Sequence, residues 1–426
     1  MKVKAIFNRY ILLRFFSNRV KKNIIKITGT QLIVSVFLMV TSIIWARYYP
    51  IETFAKFNIV LSILGFVSIL AYSGMRHSIT ISAGKGLGGN FLLIIKEKFF
   101  ISILLIPVIL IFAYYYHNDD DIFSVLLLFA ILLPLYTNQG HWEAWLLGGE
   151  SFNKYSLYKI ASTVIFAVVL FLLHDLESVF ILISLLIIFK LIVNLIFTFD
   201  VYKNKGKKSI DKSVVSYGKK VTGALLLNSL LMLDKLIIEF FIGMESVAIY
   251  VIALLAPGIL RMVFDTSCKL IIPKIVKFDS VLDAWTWFKF FFWKIVIIYL
   301  IVGIFGFLIM ELLILVVFGS VYSESSLYSS WLFLFTALAL PFSYISQILI
   351  YQKKTDFIYM FTNTNIIVKL GGFIILIPIY ELWGVVITFF VNYIINIVVI
   401  LKYFLAYIEH DKKKAPPPVS GYMTAQ

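Results

Sequence analysis

The sequence predicts an all-α, polytopic membrane protein of about twelve spanning helices. Three observations carry that reading. Of 426 residues, 61% are hydrophobic and only 14% are charged, against roughly 25% charged in soluble domains, and the mean hydropathy is +0.96. Apolar runs of about 20 residues, the length that crosses a bilayer as a helix, recur from Ile24 to Ile408. The segments between those runs alternate between basic and acidic. A spanning segment must satisfy its own backbone hydrogen bonds, and these runs are too long for barrel strands, so each is read as a helix.

In order, the expected spans are 27–46, 57–83, 97–116, 122–147, 155–173, 177–199, 217–242, 247–272, 289–318, 328–351, 356–379 and 382–406. One set of connections holds Lys85, Lys96 and Lys98; Lys154 and Lys159; Lys203 to Lys220; Lys274, Lys277 and Lys289; Lys353 and Lys354; and Lys412 to Lys414. The other set holds Asp119 to Asp121, His174, Asp175, Glu177, Glu245, Glu324 and Glu381, with Arg47 and Lys56 as its basic members. By the positive-inside rule the basic set and both termini are cytoplasmic, which requires an even number of spans. The net charge of +15 is thus a topology signal and not a sign of nucleic-acid binding.

Residues 1–26 form a basic segment with eight Lys/Arg and no small-residue cleavage site, expected to be cytoplasmic and retained. A polar stretch from Val201 to Lys220 lies near the midpoint. It divides an expected N-lobe at 27–200 from a C-lobe at 217–408, with 201–216 as linker and 409–426 as a cytoplasmic tail containing Pro416 to Pro418. Internal echoes support a duplication in parallel orientation. Glu52, Ala55 and an aromatic residue after the first span recur as Glu245, Ala248 and Tyr250 after the seventh, and Leu133-Pro134 recurs as Leu340-Pro341.

On these residues the chain resembles the Wzx-type O-antigen flippases of the multidrug/oligosaccharidyl-lipid/polysaccharide (MOP) exporter superfamily. That family's first loop reads Ala-Arg-Leu-Leu-Gly-Pro-Glu-x-Phe-Gly-x-Tyr, and Ala46, Arg47, Glu52, Phe54 and Phe57 stand in register with it. The seventh-span pattern, from Asp-Arg to Gly-x-Tyr, is met by Asp234, Lys235, Gly243 and Tyr250. Ala55 and Ala248 replace the family's usual glycine, and Glu239 stands where a small or apolar residue is usual. The resemblance implies two six-helix lobes related by a pseudo-twofold along the membrane normal, around a cationic cavity that opens alternately to each side. It implies transport of an undecaprenyl-pyrophosphate-linked oligosaccharide, an O-antigen or similar repeat unit, from the cytoplasmic to the periplasmic leaflet of a bacterial inner membrane. It further implies membrane lipids, a polysaccharide polymerase and a chain-length regulator as partners. No cofactor or metal is expected, and the energy source is an H⁺ or Na⁺ gradient or the membrane potential.

A charge at the bilayer centre costs roughly 2.5–3.5 kcal/mol on insertion scales, so intramembrane charges mark cavities or partners. Arg76, Lys190, Arg261 and Lys369, from four different spans, with Arg47 at a mouth, are the candidate diphosphate ligands, since guanidinium offers paired donors to phosphate. Asp234, Lys235, Glu239 and Asp265 are the candidate charge network, with Asp234 suited to ion coupling. Each has a plainer reading. Lys235/Glu239 and Arg261/Asp265 are four apart and can pair along one helix. Arg76, Lys159 and Lys294 can snorkel to the interface. Asp234 can serve as a packing or ion-pair residue.

Several signals are set aside. Gly84 to Gly89 lacks the ending of a nucleotide-binding P-loop and reads as a cytoplasmic turn. Asp119 to Asp121 lacks EF-hand spacing, and His141 with Glu143 does not form H-E-x-x-H. The five histidines are scattered, and Cys268 is alone. Two rival functions remain. A polysaccharide polymerase or ligase needs large external loops that this chain lacks. A multidrug antiporter for organic cations needs an acidic cavity, whereas the intramembrane excess here is basic.

Overall fold

A computed structural model describes residues 18–414 apart from 177, 207, 208, 276, 277, 279 and 353. The basic lead before residue 18, the tail from 415, and the loop members Glu177, Lys277 and Lys353 lie outside the described residues. The α-helices are α1 (Asn18–Tyr48), α2 (Ile51–Leu70), α3 (Met75–Gly84), α4 (Gly88–Leu104), α5 (Ile106–Tyr115), α6 (Asp120–Tyr136), α7 (His141–Gly148) and α8 (Phe152–Leu172). They continue as α9 (Val179–Lys203), α10 (Lys212–Ser229), α11 (Asp234–Ile242), α12 (Met244–Ile275), α13 (Val281–Phe318), α14 (Ser323–Tyr351), α15 (Thr355–Tyr380) and α16 (Leu382–Lys414). Two short 3₁₀ turns, Leu230–Leu233 and Ser320–Tyr322, complete the set.

Among the described residues, eleven segments are long and apolar enough to cross a membrane. The seventh expected span, 217–242, is interrupted. The 3₁₀ turn Leu230–Leu233 separates α10 from α11, and the Asp234 carboxylate accepts the Lys235 backbone N–H at 2.8 Å where the new helix starts. The expected span 57–83 is also broken. Tyr72 adopts φ 57°, and the chain restarts as α3 at Met75. Pro107, in the first turn of α5, divides 97–116 at Leu105. Pro134 lacks an N–H, and α6 stops two residues later. Its carbonyl is taken by the Asn138 side chain at 2.8 Å before α7 begins at His141.

Contacts divide the chain into two compact units. The first runs to Ile252 and includes Val317–Tyr322; the second is Ala253–Val316 with Ser323 onward. In the first unit, Met75, Ile79, Phe91, Trp142 and Tyr155 form a buried cluster where α3, α4, α7 and α8 meet. Lipid is as apolar as these side chains, so close packing, and not transfer from water, holds such helices together. One close approach is between α3 and α10. A Cβ on Gly74 would lie 2.4 Å from the Gly218 carbonyl oxygen, and one on Gly218 would lie 2.3 Å from Ser78 Oγ. The turn at Gly86 (φ 69°), expected as a free cytoplasmic loop, packs on the linker, with Gly89 N–H donating to Ser209 O at 2.9 Å. The second unit has an aromatic core including Phe264, Phe288, Phe292, Tyr344, Phe357 and Phe404, and Gly303 lets α13 approach Ala337 of α14.

Candidate functional site

Five helices of the first unit carry a carboxylate and the cations considered with it. Because α6 ends near Pro134, α7 starts afresh and presents Glu143 in its first turn. Glu143 Oε2 accepts from Arg76 Nη2 of α3 at 2.7 Å, and its Oε1 accepts from Lys159 Nζ of α8 at 2.6 Å. Lys190 of α9 stands 5.6 Å from the Phe166 ring centroid and forms no ion pair among the described residues, while the charges of Lys159 and Glu143 both act on it. Lys98 of α4 is 7% exposed and likewise has no ion pair among the described residues. Its charge and that of Arg76 both bear on the buried His141. Glu143 is thus paired to two cations, with Lys190 and Lys98 unpaired on neighbouring helices of the same unit among the described residues.

Neutral hydrogen bonds hold the frame. His141 Nε2 lies 2.9 Å from Asn138 Oδ1, and the Trp142 indole N–H donates to Asn194 Oδ1 at 2.9 Å. Asn194 in turn donates to the Lys190 carbonyl at 2.8 Å, and Thr198 donates to the Gln139 carbonyl at 3.1 Å. These bonds tie the α6–α7 break to the turn of α9 that bears Lys190.

The other candidates lie elsewhere. Arg47 is exposed at the end of α1 and donates to the Val317 carbonyl at 3.0 Å. The expected Lys235/Glu239 pair does not form: Lys235 Nζ donates to Ser62 Oγ at 3.2 Å, and Glu239 accepts from the Tyr116 hydroxyl at 3.0 Å. Both partners sit on neighbouring helices and outcompete a one-turn pairing. Asp234 accepts from the Tyr250 hydroxyl at 2.7 Å. Arg261, Asp265 and Lys369 belong to the second unit. Arg261 and Asp265 are exposed, and Arg261 has no ion-pair partner among the described residues. Lys369 is half-buried over the Phe389 ring at 5.1 Å.

Sequence reasoning read Lys159 as an interfacial lysine and Lys98 as a loop cation, and it gave Glu143 no partner. It also missed a second charge cluster. Lys56, 8% exposed, is held by Asp121 at 2.9 Å and by Asp119 and Glu52 at 3.1 Å each. In the second unit it missed an amide seam, where Asn392 and Asn396 of α16 both donate to Asn365 Oδ1 of α15 at 3.0 and 3.3 Å. Among the described residues no group of His, Cys, Asp and Glu could hold a metal ion.

The fold has relatives of known structure. An inward-facing multidrug resistance MATE family transporter of the MOP superfamily superposes with a TM-score of 0.67 at 12% identity, covering 91% of this chain and 100% of that one. A MOP superfamily transporter from Pyrococcus furiosus, described by a binding pocket of reversed polarity, gives 0.61 at 12% identity over 91% and 96%. The lipid II flippase MurJ in an inward closed conformation gives 0.58 at 15% identity over 90% of each chain. No curated protein sequence is significantly similar to the chain. The chain therefore has the multi-pass helical fold that these MOP superfamily proteins share. Residues 20–278 match the polysaccharide biosynthesis protein family, and the chain belongs to that family.

Proposed function

We propose that the protein flips an undecaprenyl-pyrophosphate-linked oligosaccharide, an O-antigen or similar surface repeat unit, from the cytoplasmic to the periplasmic leaflet of the bacterial inner membrane. The observation that carries this reading is the pairing of Arg76 and Lys159 with one carboxylate, Glu143, with Lys190 and Lys98 as further cations on helices of the same unit. Cations carried by apolar helices need a use, and a diphosphate crossing a membrane needs donors to replace its water. The surplus positive charge disfavours a cationic drug as cargo. Arg261 and Lys369 of the C-lobe at 217–408 join the N-lobe cations at 27–200 in handing the head group across as the carrier alternates its access. Arg47 serves the outer mouth, and the network of Asp234, Lys235, Glu239 and Asp265 couples the cycle to an H⁺ or Na⁺ gradient or to the membrane potential. The gathering of Glu52, Asp119 and Asp121 around Lys56, all expected outside, supports the assigned orientation with both termini cytoplasmic.

The test is leaflet transfer of a fluorescent polyprenyl-diphosphate oligosaccharide in proteoliposomes. Arg76→Ala and Arg261→Ala should each lower transfer by about 10- to 100-fold, the loss of one charge-assisted phosphate contact. Wild-type transfer by both variants, at equal insertion, refutes the assignment of these ligands. Ion-dependent efflux of cationic dyes in place of lipid transfer refutes the substrate class.

A further inference from the structure

We propose that Glu143 is an internal counter-ion that occupies the cationic site while the carrier is empty and is displaced by the diphosphate of the substrate. This rests on the flippase reading above. The geometry gives each carboxylate oxygen one cation: Oε2 meets Arg76 Nη2 at 2.7 Å, and Oε1 meets Lys159 Nζ at 2.6 Å. The Glu143 side chain is only 16% exposed, whereas those of Lys159 and Arg76 are 28% and 60% exposed. The acid is thus the enclosed member, and both cations keep an open side toward an arriving group.

A carboxylate and a phosphate offer a guanidinium the same fork of two oxygens. They differ in charge: a diphosphate diester carries two negative charges where Glu143 carries one. Lys190 and Lys98 add positive charge that Glu143 alone leaves unneutralised. The site therefore favours the more highly charged anion. Exchanging one fork for the other keeps Arg76 and Lys159 bonded throughout, and the group that loses its partners is the enclosed Glu143. Once displaced, Glu143 stays beside the bound diphosphate as a like charge. That repulsion weakens the complex and speeds release, and re-pairing restores an empty carrier whose site is less charged for the return. A singly charged phospholipid head group gains little over the resident carboxylate, so Glu143 also screens out the bulk lipids.

Glu143→Gln keeps the shape and removes the charge. Titration of the full-length protein in detergent with farnesyl diphosphate should show about tenfold tighter binding in this variant, the size of one like-charge contact removed. Transfer turnover in proteoliposomes at saturating substrate should fall, because release slows, while Glu143→Asp, which keeps the charge, should not bind farnesyl diphosphate more tightly than wild type. A member of the frame with a merely structural role would weaken binding when altered, so equal or weaker binding by Glu143→Gln overturns the proposal. A second measurement needs no variant: ligand-induced infrared difference spectra of the wild type should contain a carboxylate band change, and its absence also overturns displacement. The underlying reading fails separately, and takes this proposal with it, where the wild type binds no farnesyl diphosphate and Lys159→Gln changes nothing.

Discussion

Replacing Lys56 by Met tests how much the second charge cluster stabilises the first unit. The substitution preserves most of the side-chain stem and deletes the ammonium, leaving Asp119, Asp121 and Glu52 facing one another. Lys56 has a side chain 10% exposed, against 23%, 31% and 61% for Asp119, Asp121 and Glu52. The exposed Glu52 pair contributes only a few tenths of a kcal/mol. The aspartates matter more, since Asp119 caps α6 by accepting Ile122 N–H at 3.0 Å and Asp121 accepts Phe180 N–H at 3.2 Å at the start of α9. Stripping a fully buried network of its partner costs about 3–5 kcal/mol; for these partly exposed acids the cost is roughly 2–3 kcal/mol. At roughly 2 °C per kcal/mol for a large chain, thermal unfolding in detergent should drop by about 4–6 °C. Lys56→Arg should recover most of that loss, and Asp121→Asn added to Lys56→Met should recover part of it by removing repulsion. An unchanged Tm in Lys56→Met, or an equal drop in Lys56→Arg, refutes the reasoning.

Three further outcomes are expected. Gly218→Ala places a methyl 2.3 Å from Ser78 Oγ and 3.2 Å from Met75 Cα, so overpacking should cost about 1–3 kcal/mol, read as a lower thermal midpoint that a control, Gly29→Ala, whose methyl meets nothing within 4 Å, does not show. Tyr116→Phe removes the donor to Glu239 Oε2; the carboxylate loses a charge-assisted bond of about 1.5–3 kcal/mol, measurable as faster unfolding in denaturant. Burial, with Asp175 nearby, pushes the Tyr49 phenol up to about 12, and its hydroxyl donates to Leu170 O at 2.6 Å. A raised folded pKa contributes stability below the unfolded value of about 10 that is lost as pH rises through about 12; Tyr49→Phe should therefore be less stable than wild type at pH 8 and close part of that gap by pH 12, as followed by thermal unfolding.

Hydropathy alone located nearly every membrane-crossing segment, because bilayer thickness imposes a length on apolar runs that no local detail disguises. The breaks escaped it. Tyr72 at φ 57° and the 3₁₀ turn at Leu230–Leu233 alter backbone geometry without altering composition, and a proline such as Pro107 or Pro134 is as compatible with a kink as with an end. The intramembrane charges were legible as residues but not as partners. Arg76 meets Glu143 across 67 positions, Tyr116 meets Glu239 across 123 and Lys235 meets Ser62 across 173. Reasoning along one helix reaches only three or four positions, so it offered Lys235 and Glu239 to each other. Lys96 and Lys98 both count as basic members of one connection, yet the helical turn buries Lys98, and nothing in the linear pattern marks which of the two lysines points inward.

The crossing of α3 and α10 has a mechanical corollary. At Gly74 and Gly218 neither glycine brings a side chain to the contact, and the bonds spanning it include Gly74 N–H to Thr222 Oγ1 at 3.1 Å and Ser78 Oγ to Val214 O at 2.6 Å. Meshed leucines would have to change rotamers before one helix could slip past the other. A bare glycine bearing has no such teeth, and its resistance to sliding is set by a small number of latches worth about 1 kcal/mol each.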